Sequence, residues 1–549
     1  MKKIFNNAFI LSGIILISRL LEVIFYAFLY PLIGVKGGAL IGYSKVISNV
    51  FLSVSTICLA LVIKKLTVIY NNKGYYETKK KMFNITSISV LLFGVLSFIL
   101  IFALAPFISN IIIGDYVGGN SKDIITNVIR LMGFSILIYP LINVYRGYLE
   151  GHFLGNVTNI SHVIEIIIKC FTIILSSYIV VVVLNLKYYY GVYVSIGAYI
   201  ISLFITLLYL FYESKKNKNR INTEIKTSHE KSITNKDIVN TVIIYALPFM
   251  LIYLCMSLYD LVDVLSVVRG LIVYGGYKVN EAEEIISNML VWGNIFCVII
   301  IGMCSGIISK INPLFTMDIK KDKKRINKSI NSSINLFLFI GLPIATFISI
   351  LSGPIWNLFY GNFDGDVLLS FLIMKAIFIS LFILILTICT LYMDNKKLGV
   401  VMLFGLLFKI LLNNNMIANL NKMGMPPFYG PILSTIIGLL ITIVLSIIIL
   451  RKDHKIDFSK SFNSIIGIAV ASLVTAVALS LMKIIVPVTS DNRIISLLVI
   501  ILYFVVGTFI YIAYSIISGL INDIFDKKVF RKKIMWYNIL KEESYEKIC

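Results

Sequence analysis

Apolar runs separated by links of alternating charge limit this chain to one class of fold. Runs of roughly 20 to 30 apolar residues recur about fourteen times, and each is long enough to cross the hydrocarbon core of a bilayer as one helix. The links between them are alternately rich and poor in lysine, and basic residues in short links mark the cytoplasmic side of a membrane. The sequence therefore predicts an all-α, multi-pass protein of the plasma membrane with about fourteen spans and both termini in the cytoplasm.

The composition agrees with a membrane protein. Of the 549 residues, 58% are hydrophobic and only 14% are charged, whereas soluble domains have roughly 25% charged residues. The net charge of +22 could indicate nucleic-acid binding, but the basic residues cluster in links that all fall on the predicted cytoplasmic side. We therefore expect the charge to orient the protein and attract anionic membrane lipids, with no nucleic-acid partner.

The longest polar link divides the predicted spans into groups. It is basic, it follows six spans, and six further spans and a final pair come after it. Two six-helix lobes joined by a linker are typical of transporters built from repeated halves. We predict an N-terminal lobe, a basic cytoplasmic linker, a C-terminal lobe, a helix pair with its preceding loop, and a basic cytoplasmic tail. In that order these units cover residues 1–212, 213–238, 239–450, 451–518 and 519–549.

Motifs for catalysis or nucleotide binding are missing from the sequence. It has no Walker loop, nucleophile elbow or dinucleotide-binding turn, and its seven cysteines form neither a CxxC pair nor a zinc-ligand spacing. We expect a transporter rather than an enzyme, with no cofactor. Transport would then be driven by Na⁺ or H⁺ coupling, by the membrane potential or by the gradient of the solute itself.

Charged residues inside the first lobe's predicted spans are candidates for a binding site, because each costs about 2.5 to 3.5 kcal/mol at mid-membrane unless it is paired or hydrated. Arg19 and Glu22 lie one turn apart in the first span. Either they neutralise each other, or Arg19 faces a hydrated cavity and binds an anionic group. Lys45 has no carboxylate one turn away and is a better cavity candidate. Glu165 and Lys169 have the spacing of an intrahelical ion pair, and either neutralise each other or line the cavity.

The second lobe contains further charges in its spans. Lys310 and Lys409 either line the cavity or extend to the cytoplasmic surface, and Lys375 could reach the outer surface. Asp260 and Asp263 lie one turn apart in the seventh span. Two carboxylates on one helix face suit a Na⁺ or H⁺ coupling site, and they could equally serve as partners for cavity cations.

Short motifs are spread along nearly the whole chain. They are Ser18-Arg19-Leu20-Leu21, Gly37-Gly38-Ala39-Leu40, residues 70–78, residues 145–152 around Arg146, residues 161–169, Tyr245-Ala246-Leu247-Pro248, Leu351-Ser352-Gly353-Pro354, Phe359-Tyr360-Gly361, and Lys409 with Asn413. In residue type and spacing these segments resemble the MurJ/YtgP-type lipid II flippases of the multidrug/oligosaccharidyl-lipid/polysaccharide exporter (MOP) superfamily. Glu22 stands where the family has glycine, and Lys45 and Lys310 stand where uncharged residues are expected.

The resemblance implies two six-helix lobes around a central cavity, two extra helices and alternating access. It also implies that Arg19 contacts the pyrophosphate of the precursor, and that Arg146 lies at the cytoplasmic mouth of the lobe that holds Glu165 and Lys169.

We therefore predict a monomeric flippase that moves a lipid-linked oligosaccharide, lipid II in the first instance, for peptidoglycan synthesis, cell-wall assembly and cell shape. One alternative is another exporter of the superfamily, carrying a different polyprenyl-linked polysaccharide precursor or a drug coupled to Na⁺ or H⁺. A second alternative is a non-transport scaffold for wall or spore assembly.

Overall fold

The computed structural model describes residues 2–55, 57–218, 221, 234–308, 323–486 and 492–525. Side chains are described from residue 21 onward, except at 55, 57–58, 323–325, 460, 523 and 525. Helices make up nearly all of these residues and no strand occurs among them, so the predicted all-α fold is confirmed.

Seven helices precede the basic linker. They are α1 (Lys2–Ser55), α2 (Ile57–Asn72), α3 (Tyr76–Ile112), α4 (Lys122–Gly133), α5 (Ser135–Gly151), α6 (Gly155–Tyr178) and α7 (Tyr188–Lys216), with a π-helical turn at Ile179–Val183.

Eleven more described helices follow the linker. They are α8 (Asn235–Val273), α9 (Val279–Ser287), α10 (Asn294–Ile308), α11 (Lys323–Ile350), α12 (Ser352–Tyr360), α13 (Asp366–Cys389), α14 (Asn395–Lys422), α15 (Tyr429–His454), α16 (Ser459–Ile485), α17 (Arg493–Ile517) and α18 (Leu520–Phe525). A second π-helical turn, Asn288–Trp292, joins α9 to α10.

The number of membrane crossings agrees with the alternation of the links. Thirteen helical segments of the described chain are long and apolar enough to span a membrane, and the first, Leu21–Asn72, has 52 residues. At about 1.5 Å per residue this segment would be roughly 78 Å long, more than twice the hydrocarbon thickness of about 30 Å. Gly34 breaks it, because its φ of 62° and ψ of −166° are not helical. Counting this segment as two crossings gives fourteen in the described part of the chain.

Two details differ from the predicted spans. The fourth span is built from α4 and α5, which meet at Phe134, rather than from one continuous helix. A short helix, α12, lies between α11 and α13 and is not one of the apolar runs. It is too short to cross a membrane, but Trp356 is fully buried within it. Burial of this large ring, which the local apolar pattern did not indicate, holds α12 against its neighbours.

Glycines allow the closest helix packing near the second lobe's charges. A Cβ atom added at Gly405 of α14 would collide with the backbone oxygen of Gly438 in α15. A Cβ atom at Gly438 would come within 2.7 Å of the Gly405 oxygen. Small residues at such contacts let two membrane helices approach through their backbones. This contact places Lys409, one turn after Gly405, directly against α15.

Helices from before and after the linker meet at both ends of the bundle. We call the end with the lysine-rich links the basic end, and the other the Lys-poor end. At the Lys-poor end the backbone N–H and side-chain amide of Asn120 donate to Glu283 Oε2 at 2.9 and 3.0 Å. At the basic end the ammonium of Lys65 lies 4.6 Å from the centre of the Tyr245 ring. Contacts at both ends therefore join the part of the chain before the linker to the part after it.

Candidate functional site

Four charged side chains from α1, α5 and α6 form a ladder inside the N-terminal half. Arg146 on α5 donates from Nε to Ser161 Oγ at 2.9 Å and from Nη2 to Glu165 Oε2 at 2.8 Å. One turn further along α6, Lys169 donates from Nζ to Glu22 Oε1 on α1 at 2.7 Å. We call Arg146, Glu165, Lys169 and Glu22 the charge ladder.

Of the two alternatives for Glu165 and Lys169, the intrahelical pair does not form, because each of the two side chains makes its ion pair with a different helix. An i,i+4 pair on a helix surface contributes only about 0.2 to 0.5 kcal/mol. Partners on α5 and α1 that are already held in the packed bundle compete successfully with so weak an interaction. The two pairs therefore tie α6 to both neighbouring helices.

The ladder runs from the basic end toward the middle of the bundle. Arg146 lies near the end of α5, whereas Glu165 and Lys169 lie about 15 and 21 Å from the start of α6 at about 1.5 Å per residue. The side chain of Arg146 is only 3% exposed, but those of Glu165, Lys169 and Glu22 are 14%, 16% and 10% exposed. Arg146 Nη1 is buried and has no hydrogen-bond partner among the described residues. It is therefore a donor that a ligand could use.

Tyrosines that the sequence did not single out surround the ladder. Tyr199 on α7 lies within electrostatic range of Glu165, Glu22, Tyr26 and Tyr139. Phenolic rings offer an apolar face and a hydroxyl that donates and accepts. The chain has 31 tyrosines, and no sequence pattern distinguishes these three from the rest.

A second cluster of charges lies in the C-terminal half. Lys409 on α14 and Asp263 on α8 form an ion pair, and their side chains are 0% and 1% exposed. Asp260, one turn before Asp263, is partly exposed and lies within electrostatic range of Lys375, Lys409 and Lys45. The structure thus brings Lys409 and both aspartates together, but as an interior cluster rather than with Lys409 at the surface.

Lys45 and Lys375 have no ion pair among the described residues, and both lie within electrostatic range of Asp260. Lys45 belongs to the part of α1 that packs against α8 and is partly exposed. Lys375 is only 2% exposed, so the idea that it reaches the outer surface was wrong. Its helix, α13, is enclosed by α10, α11 and α15, which leaves the side chain no direct path to the surface. Lys375 therefore belongs to the interior group of charges around Asp260.

Two of the predicted site residues cannot be placed. The side chain of Arg19 and the whole of Lys310 lie outside the described residues. Within the described part of the chain, no group of three or more His, Cys, Asp or Glu residues is arranged to hold a metal ion.

Comparison with known proteins relates this geometry to transporters. No protein-family model matches the chain. A curated protein of Bacillus subtilis (strain 168), "Lipid II flippase MurJ", is 23% identical over 495 residues, which cover 88% of this chain and 88% of that protein.

Solved structures give the same relationship. A structure of "Lipid II flippase MurJ, inward closed conformation" superposes with a TM-score of 0.59 at 16% identity, covering 93% of this chain and 98% of that one. An inward-facing multidrug resistance MATE family transporter of the MOP superfamily superposes with a TM-score of 0.58 at 16% identity, covering 79% of this chain and 93% of that one. The resemblance seen in the sequence is confirmed: the chain is a MurJ-like, multi-pass membrane protein with the fold of the MOP superfamily transporters.

Proposed function

We propose that this chain is a flippase that moves a lipid-linked glycan precursor, lipid II in the first instance, from the inner to the outer leaflet by alternating access. It acts as a monomer in the plasma membrane with both termini in the cytoplasm. Its similarity to MurJ along almost the whole length of both chains supports this assignment.

The observation that carries the proposal is the set of basic side chains held deep within apolar helices. Arg146, Lys169 and Lys45 lie in helices that otherwise contain few charges, and two of the three keep part of their surface accessible. A scaffold would gain little from charges that cost several kcal/mol to insert. A transporter of an anionic head group needs them, because a pyrophosphate cannot enter hydrocarbon without replacing its hydration.

The charge ladder explains how such a head group could be bound and released. Glu165 and Glu22 neutralise Arg146 and Lys169 when no substrate is present, so the empty protein holds no uncompensated pair of cations there. A pyrophosphate competes with the two carboxylates for the same donors, and Arg146 Nη1 supplies a donor that no described residue uses. Exchange between carboxylate and phosphate partners keeps the binding reversible.

The membrane potential supplies a direction for this movement. With the cell interior negative, outward transfer of each negative charge is favoured by about 2.3 kcal/mol per 100 mV. A substrate with an anionic head group can therefore be exported without ATP.

The MATE transporter superposes almost as well as MurJ, so export of a drug or of another polyprenyl-linked saccharide is the second candidate function. The smaller share of this chain that the MATE structure covers, 79% against 93%, favours the flippase.

Rescue of a bacterial strain depleted of its own lipid II flippase tests the proposal. We expect the wild-type chain and Lys397→Met to restore growth, and Lys45→Met to fail at equal membrane abundance. Lys397 is a suitable control because its ion pair with Asp453 is exposed, and such pairs contribute little.

Other outcomes separate the alternatives. If the wild-type chain did not rescue the strain despite normal abundance, the chain would be assigned as an exporter of another saccharide or of a drug. Drug resistance in the same cells would then identify a drug exporter. Full rescue by Lys45→Met would favour a role that does not depend on the interior cations, such as a scaffold.

A further inference from the structure

The ammonium of Lys409 lies in a cage of four oxygen atoms. The three N–H groups of Nζ lie within hydrogen-bond distance of Asp263 Oδ1 at 2.5 Å, Asn413 Oδ1 at 2.9 Å, the Pro431 carbonyl oxygen at 2.9 Å and Ser434 Oγ at 3.2 Å, so at least one hydrogen is shared between two acceptors. A carboxylate, an amide, a backbone carbonyl and a hydroxyl are the hard oxygen donors that bind metal cations such as Ca²⁺ in proteins. Three helices, α8, α14 and α15, supply them.

The cage is held in place by its own hydrogen bonds. The amide nitrogen of Asn413 donates to Ser266 Oγ at 2.7 Å, which turns Asn413 Oδ1 toward the ammonium. Ser434 Oγ lies 2.8 Å from Asn413 Oδ1 and 2.9 Å from the Pro431 oxygen. Close packing of α14 on α15 through Gly405 and Gly438 fixes the distance between the two helices. The oxygens therefore do not depend on the ammonium alone for their positions.

The cage also has unused capacity for a cation. Asp263 Oδ2 is buried and has no hydrogen-bond partner among the described residues. A buried carboxylate is costly unless a positive charge compensates it. Asp263 is the only carboxylate that contacts the ammonium among the described residues, so a single positive charge balances the cage.

We propose that Lys409 is a tethered cation that occupies a binding site for a monovalent metal ion. The wild-type chain therefore binds neither Na⁺ nor K⁺ at this place, because the ammonium already supplies the charge and the four contacts. Removing the ammonium while keeping the cage converts it into a site for one of these ions. Asp263 is then a permanent partner of Lys409 and is not a coupling carboxylate for a transported ion.

Cation binding at this cage does not depend on which substrate the chain carries. The proposal about the cage and the proposed flippase function can therefore each fail without the other. The test uses the purified full-length chain in detergent at pH 8. Thermal unfolding midpoints are compared in NaCl, KCl and choline chloride at equal ionic strength, because choline is too large for the cage. The variants are Lys409→Ala, which empties the space, and Lys409→Met, which removes the charge but fills the space. A double variant, Lys409→Ala with Asp263→Asn, removes the compensating carboxylate as well.

We expect equal midpoints in the three salts for wild type, for Lys409→Met and for the double variant. Lys409→Ala should show a saturable rise of at least about 2 °C in NaCl or KCl over choline chloride, because an ion that binds only the folded state stabilises it. If folded Lys409→Ala could be purified in NaCl or KCl but not in choline chloride, that result would support the same conclusion.

A Lys409→Ala variant that folds equally in all three salts would overturn the proposal, as would a wild-type chain that Na⁺ or K⁺ stabilises specifically. If Lys409→Ala does not fold in any salt, Lys409→Ser is measured in its place, since its hydroxyl leaves most of the space free. Equal midpoints for that variant would likewise overturn the proposal.

Discussion

The ion pair between Glu22 and Lys169 gives a sharp test of the charge ladder. The two atoms are 2.7 Å apart, and the side chains are only 10% and 16% exposed. Breaking a fully buried pair by removing one partner costs about 3 to 5 kcal/mol, because the other charge is left uncompensated. Because both side chains keep some access to water, we expect the free energy of unfolding to fall by about 2 to 3 kcal/mol for Lys169→Met or Glu22→Gln.

The double variant Glu22→Gln/Lys169→Met separates the structural from the functional contribution of the pair. It removes both members of this ion pair, so its free energy of unfolding should lie closer to wild type than that of either single variant. Unfolding is followed by denaturant titration in detergent micelles. If Lys169 also binds substrate, the double variant should regain stability but should still fail to rescue the flippase-depleted strain.

Two results would refute this reasoning. If the effects of the two single variants simply added in the double variant, the side chains would not interact. If the double variant recovered both stability and rescue, the pair would be a structural link between α1 and α6 and not part of the binding site.

Three further predictions concern other parts of the molecule. Burial lowers the pKa of His152, which follows α5, to about 4. An ordinary histidine in the unfolded chain takes up a proton below pH 6.5. The contribution of neutral His152 to the free energy of unfolding should therefore be fully present above pH 6.5 and should fall by up to about 3 kcal/mol as the pH approaches 4. Denaturant unfolding measured at pH 7.5 and at pH 5 should show this loss in wild type but not in His152→Gln. Gly438→Ala should cost about 1 to 3 kcal/mol of stability through overpacking against α14, whereas Gly399→Ala, with open space around its Cβ position, should not destabilise. Glu283→Ala leaves buried donors before α4 without an acceptor and should lower the free energy of unfolding by about 1 to 3 kcal/mol; Asp115→Ala, which breaks an exposed ion pair, should have almost no effect.

Much of the fold could be predicted because hydropathy and link charge are local properties. The sequence predicts about fourteen spans, and the described chain has thirteen candidate segments, the first of which the break at Gly34 divides into two crossings. The short helix α12 was missed because its burial depends on neighbours that are distant in sequence. The division into lobes and the cytoplasmic position of the termini stay predictions.

The candidate residues could be found from the sequence, but their partners could not. Glu165 and Lys169 have the spacing of a pair, yet each bonds to a helix that is distant in sequence. Lys409 was assigned to a cavity or to the cytoplasmic surface, and the structure surrounds it with four oxygens.

Hydropathy and the positions of charged residues are enough to predict that this chain crosses a membrane many times as helices and carries a few charges where charges are costly. Both conclusions follow from the transfer energies of individual residues, which are independent of the rest of the fold. The pairing of Lys169 with Glu22 and the oxygen cage around Lys409 depend on helix packing, because a buried charge takes its partner from whichever helix the packing brings within reach.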